Sequence, residues 1–253
     1  MSSPRLLIIQ PDESDPVGPL GDWLTEAGAE LDVRLPPGQA LPAEAELDGY
    51  AGVICLGGGM GARDDVEHPW LADVRRLLAV SSVKRKPTLG ICLGAQLLAV
   101  ATGGRVEVGA DGPEVGPYLV SKKDAAWTDP LFGELPLMQD VLQFHNDAIT
   151  RLPPGAELLA SAPRYQNQAF RLNSCVYGVQ FHIETTPAIV ERWAAEEPEM
   201  AQTTRPGALE HDKLITVHAD IAETWRPFAA RFVQLASGEL APAADTQRSL
   251  PLA

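Results

Sequence analysis

Thr88-Leu89-Gly90-Ile91-Cys92-Leu93-Gly94-Ala95-Gln96 joins a short apolar run to a helix-forming segment, with a cysteine at the junction between two glycines. The pattern predicts a strand, a sharp turn and a helix, with the thiol at the turn. Glycines two residues before and two after the cysteine let the chain bend tightly and let neighbouring backbone pack close. A thiol there faces the positive end of a helix, which favours the nucleophilic thiolate. The same stretch also reads as a buried cysteine at the end of a Gly-rich strand, so it does not decide the chemistry alone.

Upstream, short apolar runs at 6–9, 31–35 and 50–56 read as strands, and 88–92 as the fourth. Between them, 22–29, 69–83 and 93–101 have helical character, the second with Leu71, Val74, Leu77 and Leu78 on one face. The Pro- and Gly-rich segments 11–21 and 36–42 read as loops. Such alternation predicts an α/β fold, a mostly parallel central sheet with helices on both faces. Ligands of such sheets lie beyond the carboxyl ends of the strands, where Cys92 and the turn Gly57-Gly58-Gly59 both fall. Farther on, apolar residues among glycines and prolines at 106–120, 142–149, 157–162, 169–172 and 176–181 predict short antiparallel strands, hence a small antiparallel sheet. Helices are expected at 187–195 and 219–235, and the charged stretch 196–209 reads as a helical excursion or a loop. The expectation is one domain over 1–238 and a frayed Ala- and Pro-rich tail over 239–253.

A second informative segment is Gly178-Val179-Gln180-Phe181-His182-Ile183-Glu184. In an extended chain, residues two apart point the same way, so His182 and Glu184 share a side. A carboxylate beside an imidazole fixes its tautomer and stabilises the imidazolium. Alone, the pair also describes a strand-end histidine with a surface acid. With Cys92 upstream it suggests a Cys-His-Glu constellation, whose members meet in space rather than in sequence.

These two segments, with Leu56-Gly57-Gly58-Gly59, Phe144-His145-Asn146-Asp147 and the order of elements between them, resemble the class I (triad-type) glutamine amidotransferases. Within that family the chain resembles the glutaminase domain of GMP synthase, as a stand-alone member. The resemblance implies a flavodoxin-like arrangement of the sheet. It makes Cys92 the nucleophile, His182 the acid–base group and Glu184 its orienting partner. Glycines at 57–59 would let main chain approach a substrate, and the resemblance favours Gly58, with Leu93, as oxyanion donors. It assigns substrate contacts to Gly59, Gln96, His145 and Asp147; by itself His145 reads equally as an ordinary strand-end histidine. Two departures bear on substrate preference: Ile183 stands where the family commonly has proline, and Asn146 where it commonly has glycine.

A net charge of −14 disfavours nucleic acid and anionic membrane as partners. The sparse cysteines Cys55, Cys92 and Cys175 are no disulfide framework, and no ligand spacing suggests a metal or other cofactor. Cys55 and Cys175 lie in apolar runs and read as inert, and His68, His211 and His218 as surface or structural residues. With no signal-like segment at the start, the expected location is the cytoplasm. The expected activity is hydrolysis of the γ-amide of glutamine, or of a γ-glutamyl conjugate, through a cysteinyl thioester. No P-loop appears. The chain therefore either serves a separate synthetase subunit or acts alone as a γ-glutamyl hydrolase. Two alternatives are a non-catalytic binding or regulatory module on the same fold, and the ThiJ/PfpI-like proteins, which also place a cysteine at an elbow; the late histidine segment fits the amidotransferases better.

Overall fold

The computed structural model describes residues 3–244. Its strands are β1 (Arg5–Ile9), β2 (Glu30–Arg34), β3 (Gly52–Cys55), β4 (Thr88–Ile91), β5 (Arg105–Val108), β6 (Glu114–Lys122), β7 (Met138–His145), β8 (Asp147–Arg151), β9 (Glu157–Ser161), β10 (Ala169–Leu172) and β11 (Val176–Val179). The helices are α1 (Gly18–Glu26), α2 (Leu71–Val83), α3 (Leu93–Ala101), α4 (Pro187–Glu196), α5 (Pro198–Ala201) and α6 (His211–Ser237).

In β1 four consecutive residues, Leu6 to Ile9, are fully buried, which requires cover on both faces of the sheet. Nine strands pair in the order β2-β1-β3-β4-β11-β10-β9-β6-β7. From β2 to β11 neighbours run parallel; from β11 to β7 they run antiparallel. Strands β5 and β8 form a separate antiparallel pair. The expected α/β architecture with a small antiparallel sheet is therefore present. Most of the antiparallel strands, however, extend the main sheet. Helix α2 packs with α3, and α1 with α6. Helix α6 brings Trp225, Phe228 and Phe232 into the core, where Trp225 and Phe228 stack edge-on against Phe132. Aromatic side chains of this size each bury roughly 150–250 Å², which fixes α6 to the sheet.

Several boundaries differ from the sequence expectation, each for a local reason. Helix α1 begins at Gly18, inside the expected loop, because Gly18 turns the chain at φ +49° and a proline occupies the first helical turn. Helix α6 starts at His211, eight residues early, since an amphipathic face of Leu214, Val217 and Ile221 is already buried. The 196–209 stretch is mostly turn, with the single turn of α5 within it. Gly238 closes α6 in the left-handed conformation. Beyond it, Leu240 packs on the core and the Ala243 N–H donates to the Ser174 carbonyl at 2.9 Å, so the start of the expected frayed tail is docked. Its remainder, 245–253, lies outside the described residues. Among those described, no helix is long and apolar enough to cross a membrane.

Candidate active site

Strands β4 and β11 lie side by side in register, Ile91 opposite Val179. Cys92 follows at once, and its N–H still donates to the Val179 carbonyl at 2.8 Å. The residue then turns to φ +49°, ψ −109° and α3 begins. A side-chain-bearing residue held there costs about 1–3 kcal/mol, so the surroundings must enforce it. Gly94 is part of that enforcement: a Cβ on it would stand 2.0 Å from the Cys55 carbonyl oxygen, and its N–H donates to Leu56 O at 3.1 Å. The strand, sharp turn and helix expected from the sequence are all present, with the thiol at the turn.

Beside this elbow the chain leaves β11 at Val179, two residues sooner than expected, and bends through 180–184. The backbone of His182 is pinned to Leu142 by reciprocal hydrogen bonds of 2.8 and 3.2 Å. The bend, rather than simple alternation along a strand, brings His182 and Glu184 together. The Nδ1–H of His182 donates to Glu184 Oε1 at 2.7 Å, and the Ile183 N–H donates to Glu184 Oε2 at 2.8 Å. With Nδ1 occupied, Nε2 is the nitrogen left for Cys92, whose sulfur is close enough to act on the imidazole. Burial opposes the imidazolium, but the Glu184 carboxylate and Cys92 sulfur outweigh it and hold His182 well above its usual pKa. The Trp193 ring from α4 packs against the imidazole at 4.8 Å between centroids.

The chain after β3 completes the near side. A Cβ on Gly57 would meet His182 Cε1 at 3.0 Å and Asp15 Oδ1 at 3.2 Å. One on Gly58 would meet Leu93 Cδ2 at 2.9 Å. Main chain alone therefore fits between these groups. Among the described residues no acceptor meets the N–H of Gly58 or of Leu93, whereas the Gly59 N–H is taken by Asp12 Oδ2 at 3.2 Å.

Across from the imidazole, Gln96 donates from Nε2 to the Asp147 carbonyl at 3.0 Å and to Gln180 Oε1 at 3.3 Å. His145 Nδ1 donates to the same Asp147 carbonyl at 2.8 Å, and its Nε2 lies 3.2 Å from Glu114 Oε2. Burial raises the Asp147 pKa, Asp64 adds to the rise and His145 opposes it. A cavity of about 910 Å³ joins these parts, with Cys92, His182, Gly58, Gly59, Gln96 and Asp147 among its lining, and His145 at its edge. The structure thus gathers every sequence-expected site residue around one cavity or, for Leu93 and Glu184, directly behind its wall.

Three residues at this site went unassigned by sequence reasoning. Gln180, though inside the quoted histidine segment, approaches Cys92 Sγ with Nε2 at 4.0 Å. Trp193 packs on the imidazole. Asp15, in the loop after β1, is only 5% exposed and borders the same cavity. The signal for Asp15 was its place at the carboxyl end of a parallel strand. His218, expected to be surface or structural, is half-buried behind the site and shares a 3.0 Å hydrogen bond with Thr185, next to Glu184.

Residues 22–191 match the family model described as glutamine amidotransferase class-I. γ-Glutamyl peptidase 4 of Arabidopsis thaliana is 30% identical over 56% of this chain and 57% of its own length. The glutamine-hydrolysing GMP synthase of Christiangramia forsetii is 32% identical over 77% of this chain and 33% of its own. This chain thus spans less than two thirds of either curated relative. A glutamine amidotransferase from Thermotoga maritima, solved by crystallography, superposes with a TM-score of 0.81 at 29% identity, covering 92% of this chain and all of that one.

Proposed function

Because the chain belongs to the class I glutamine amidotransferase family, we propose that Cys92, His182 and Glu184 hydrolyse the γ-amide of glutamine or of a γ-glutamyl conjugate. What supports this reading is that Cys92 and His182 follow two adjacent strands and act on one another, with His182 hydrogen-bonded in turn to Glu184.

His182 Nε2 takes the thiol proton and the sulfur attacks the γ-carbonyl carbon. The resulting oxyanion is met by the N–H groups of Leu93 and Gly58, which have no competing acceptor to give up. As the tetrahedral adduct collapses, the C–N bond breaks and His182 returns its proton to the departing nitrogen. Ammonia or an amine leaves, and a γ-glutamyl thioester stays on Cys92. A water that loses its proton to His182 attacks the thioester; the C–S bond breaks, glutamate is released and the sulfur is reprotonated. Glu184 holds the imidazole in the tautomer each transfer needs and stabilises it while charged. Gln96, His145, Asp147 and Gly59 form the side that receives the amino-acid end of the substrate.

Two uses of this chemistry remain in play. Delivery of ammonia to a separate synthetase subunit fits the GMP synthase relative. Cleavage of γ-glutamyl conjugates by the chain acting alone fits the γ-glutamyl peptidase relative. Ammonia release from glutamine, and amine release from γ-glutamyl amides, test them in parallel. Silence in both with folded protein would leave only a binding module. Glu184→Ala is expected to lower kcat by about a hundredfold, less than loss of the sulfur, since orientation goes and the nucleophile stays. A loss equal to that of Cys92→Ala would contradict the role given to Glu184.

A further inference from the structure

The cavity is acidic throughout, and the catalytic geometry says which of its carboxylates lie near the departing group. The departing nitrogen must lie where His182 can protonate it. That end is walled by Asp15, by Trp193 and by the segment of α4 and α5 that follows Trp193. The opposite end carries Gln96, His145 and Asp147. Among the acidic residues of the lining, Asp15, Glu196, Glu197 and Glu199 lie on the segments that bear on His182 and Trp193, whereas Asp12 is held by the Gly59 N–H and Asp64 acts on Asp147; no lysine or arginine lines the cavity among the described residues. Arg192 is close, but its guanidinium donates to the Ser14 carbonyl and is not part of the lining.

Exposed glutamates on a rim are by themselves only a solvated face. Asp15 is different. It is 95% buried, borders the cavity, and among the described residues no hydrogen bond or ion pair satisfies its carboxyl group. Its loop is not free to swing away, because Ser14 O accepts from both Arg192 and, at 2.9 Å, Trp193 Nε1. An unpartnered acid fixed at the wall of a reactive cavity wants a donor or a cation from the ligand.

We propose that the leaving-group end admits γ-glutamyl amides whose departing amine carries a second, positively charged amino group, so that the substrate class is γ-glutamyl conjugates of diamines or polyamines. This rests on the hydrolytic reading above and narrows it. Low-dielectric walls lined by one sign of charge focus the field into the cavity, attract a cationic tail and repel a carboxylate one. Burial pushes Asp15 up to about 7, His182 opposing the rise and Glu184 and Asp12 adding to it, with Arg192 opposing. An ammonium group beside Asp15 would add a directly hydrogen-bonded cation to the more distant attraction of His182 and Arg192.

The test uses three γ-glutamyl amides of similar length, made with 1,4-diaminobutane, n-pentylamine and 4-aminobutanoate. For the intact protein at low salt, kcat/KM should be about tenfold higher for the cationic than for the neutral amide. It should be lower still for the anionic one, and the spread should shrink as salt is added. Asp15→Asn, and separately Glu196→Gln/Glu197→Gln/Glu199→Gln at exposed positions, should each move the cationic-to-neutral ratio toward one. Equal rates for the three amides, or a preference for the carboxylate, would overturn the proposal. Calorimetric binding of the same amides to Cys92→Ala separates it from the hydrolytic reading. Preferential binding of the cationic amide without turnover by the wild type would uphold the recognition and refute the chemistry. Indifferent binding would refute the recognition whatever the turnover.

Discussion

Replacing Cys92 by alanine is expected to reduce hydrolysis of any γ-glutamyl substrate by at least about 10⁴-fold, while the protein remains folded. The size follows from the role: without the sulfur no thioester forms, and the direct attack of water has only the oxyanion donors and His182 to help it. The fold should survive because the change removes a single heavy atom at a position whose backbone is held by Val179, Gly94 and Leu56 rather than by the side chain. Amine or ammonia release measured beside circular dichroism checks both halves. Intact-mass analysis of rapidly quenched wild-type protein should find the γ-glutamyl adduct on Cys92 alone. Cys55 provides an internal control, since complete burial raises its thiol far above the usual range and keeps it inert. Undiminished turnover by the alanine variant would remove the mechanism.

The second large effect concerns stability. Asp15 titrates near 3.8 when exposed and is raised to about 7 by burial. Below pH 4 both folded and unfolded chains hold the proton and Asp15 makes no difference. Between pH 4 and pH 7 the unfolded chain releases the proton while the folded one retains it, so stability falls as pH rises. Above pH 7 the folded protein carries the buried charge and the full penalty stands. The shift corresponds to an upper bound of about 4 kcal/mol. Asp15→Asn, which cannot ionise, should therefore be more stable than wild type at pH 8 and gain little at pH 4. Denaturant midpoints at the two pH values measure this; a gain of the same size at both would show that Asp15 is not held in the strained ionisation argued here. A stability cost at a residue lining the cavity is what a binding site accepts and a purely structural loop does not.

How much of this was visible in the residues differs from element to element. The elbow was legible because two glycines, one cysteine and a following helix encode it within nine positions. The parallel half of the sheet was legible because β1 from Leu6 onward, β3 and β4 are buried, largely apolar runs. The placement of β11 between β4 and β10 was not, since it depends on pairing with a strand ninety residues away. Family resemblance brought His182 to Cys92 where local pattern could not. Asp15 shows the limit most clearly. Its loop offers Asp12, Glu13 and Asp15, and no local feature says which will be buried. The selection is made by Trp193 and Arg192, about 180 positions further on, which grip Ser14 and turn its neighbour inward. Long-range contacts of that kind leave no periodicity to read.

Because β4 and β11 are immediate neighbours and the buried bend after β11 is pinned to Leu142 of β7, sulfur and imidazole are both held by hydrogen-bonded backbone. No hinge or surface loop lies between them that mild heating would loosen first. Inactivation should then coincide with cooperative melting of the central strands, and alkylation of Cys92 by an iodoacetamide probe should report the same opening event as amide exchange in β4. The proposed activity would switch off abruptly rather than fade, and its usable temperature range would extend to the edge of the fold.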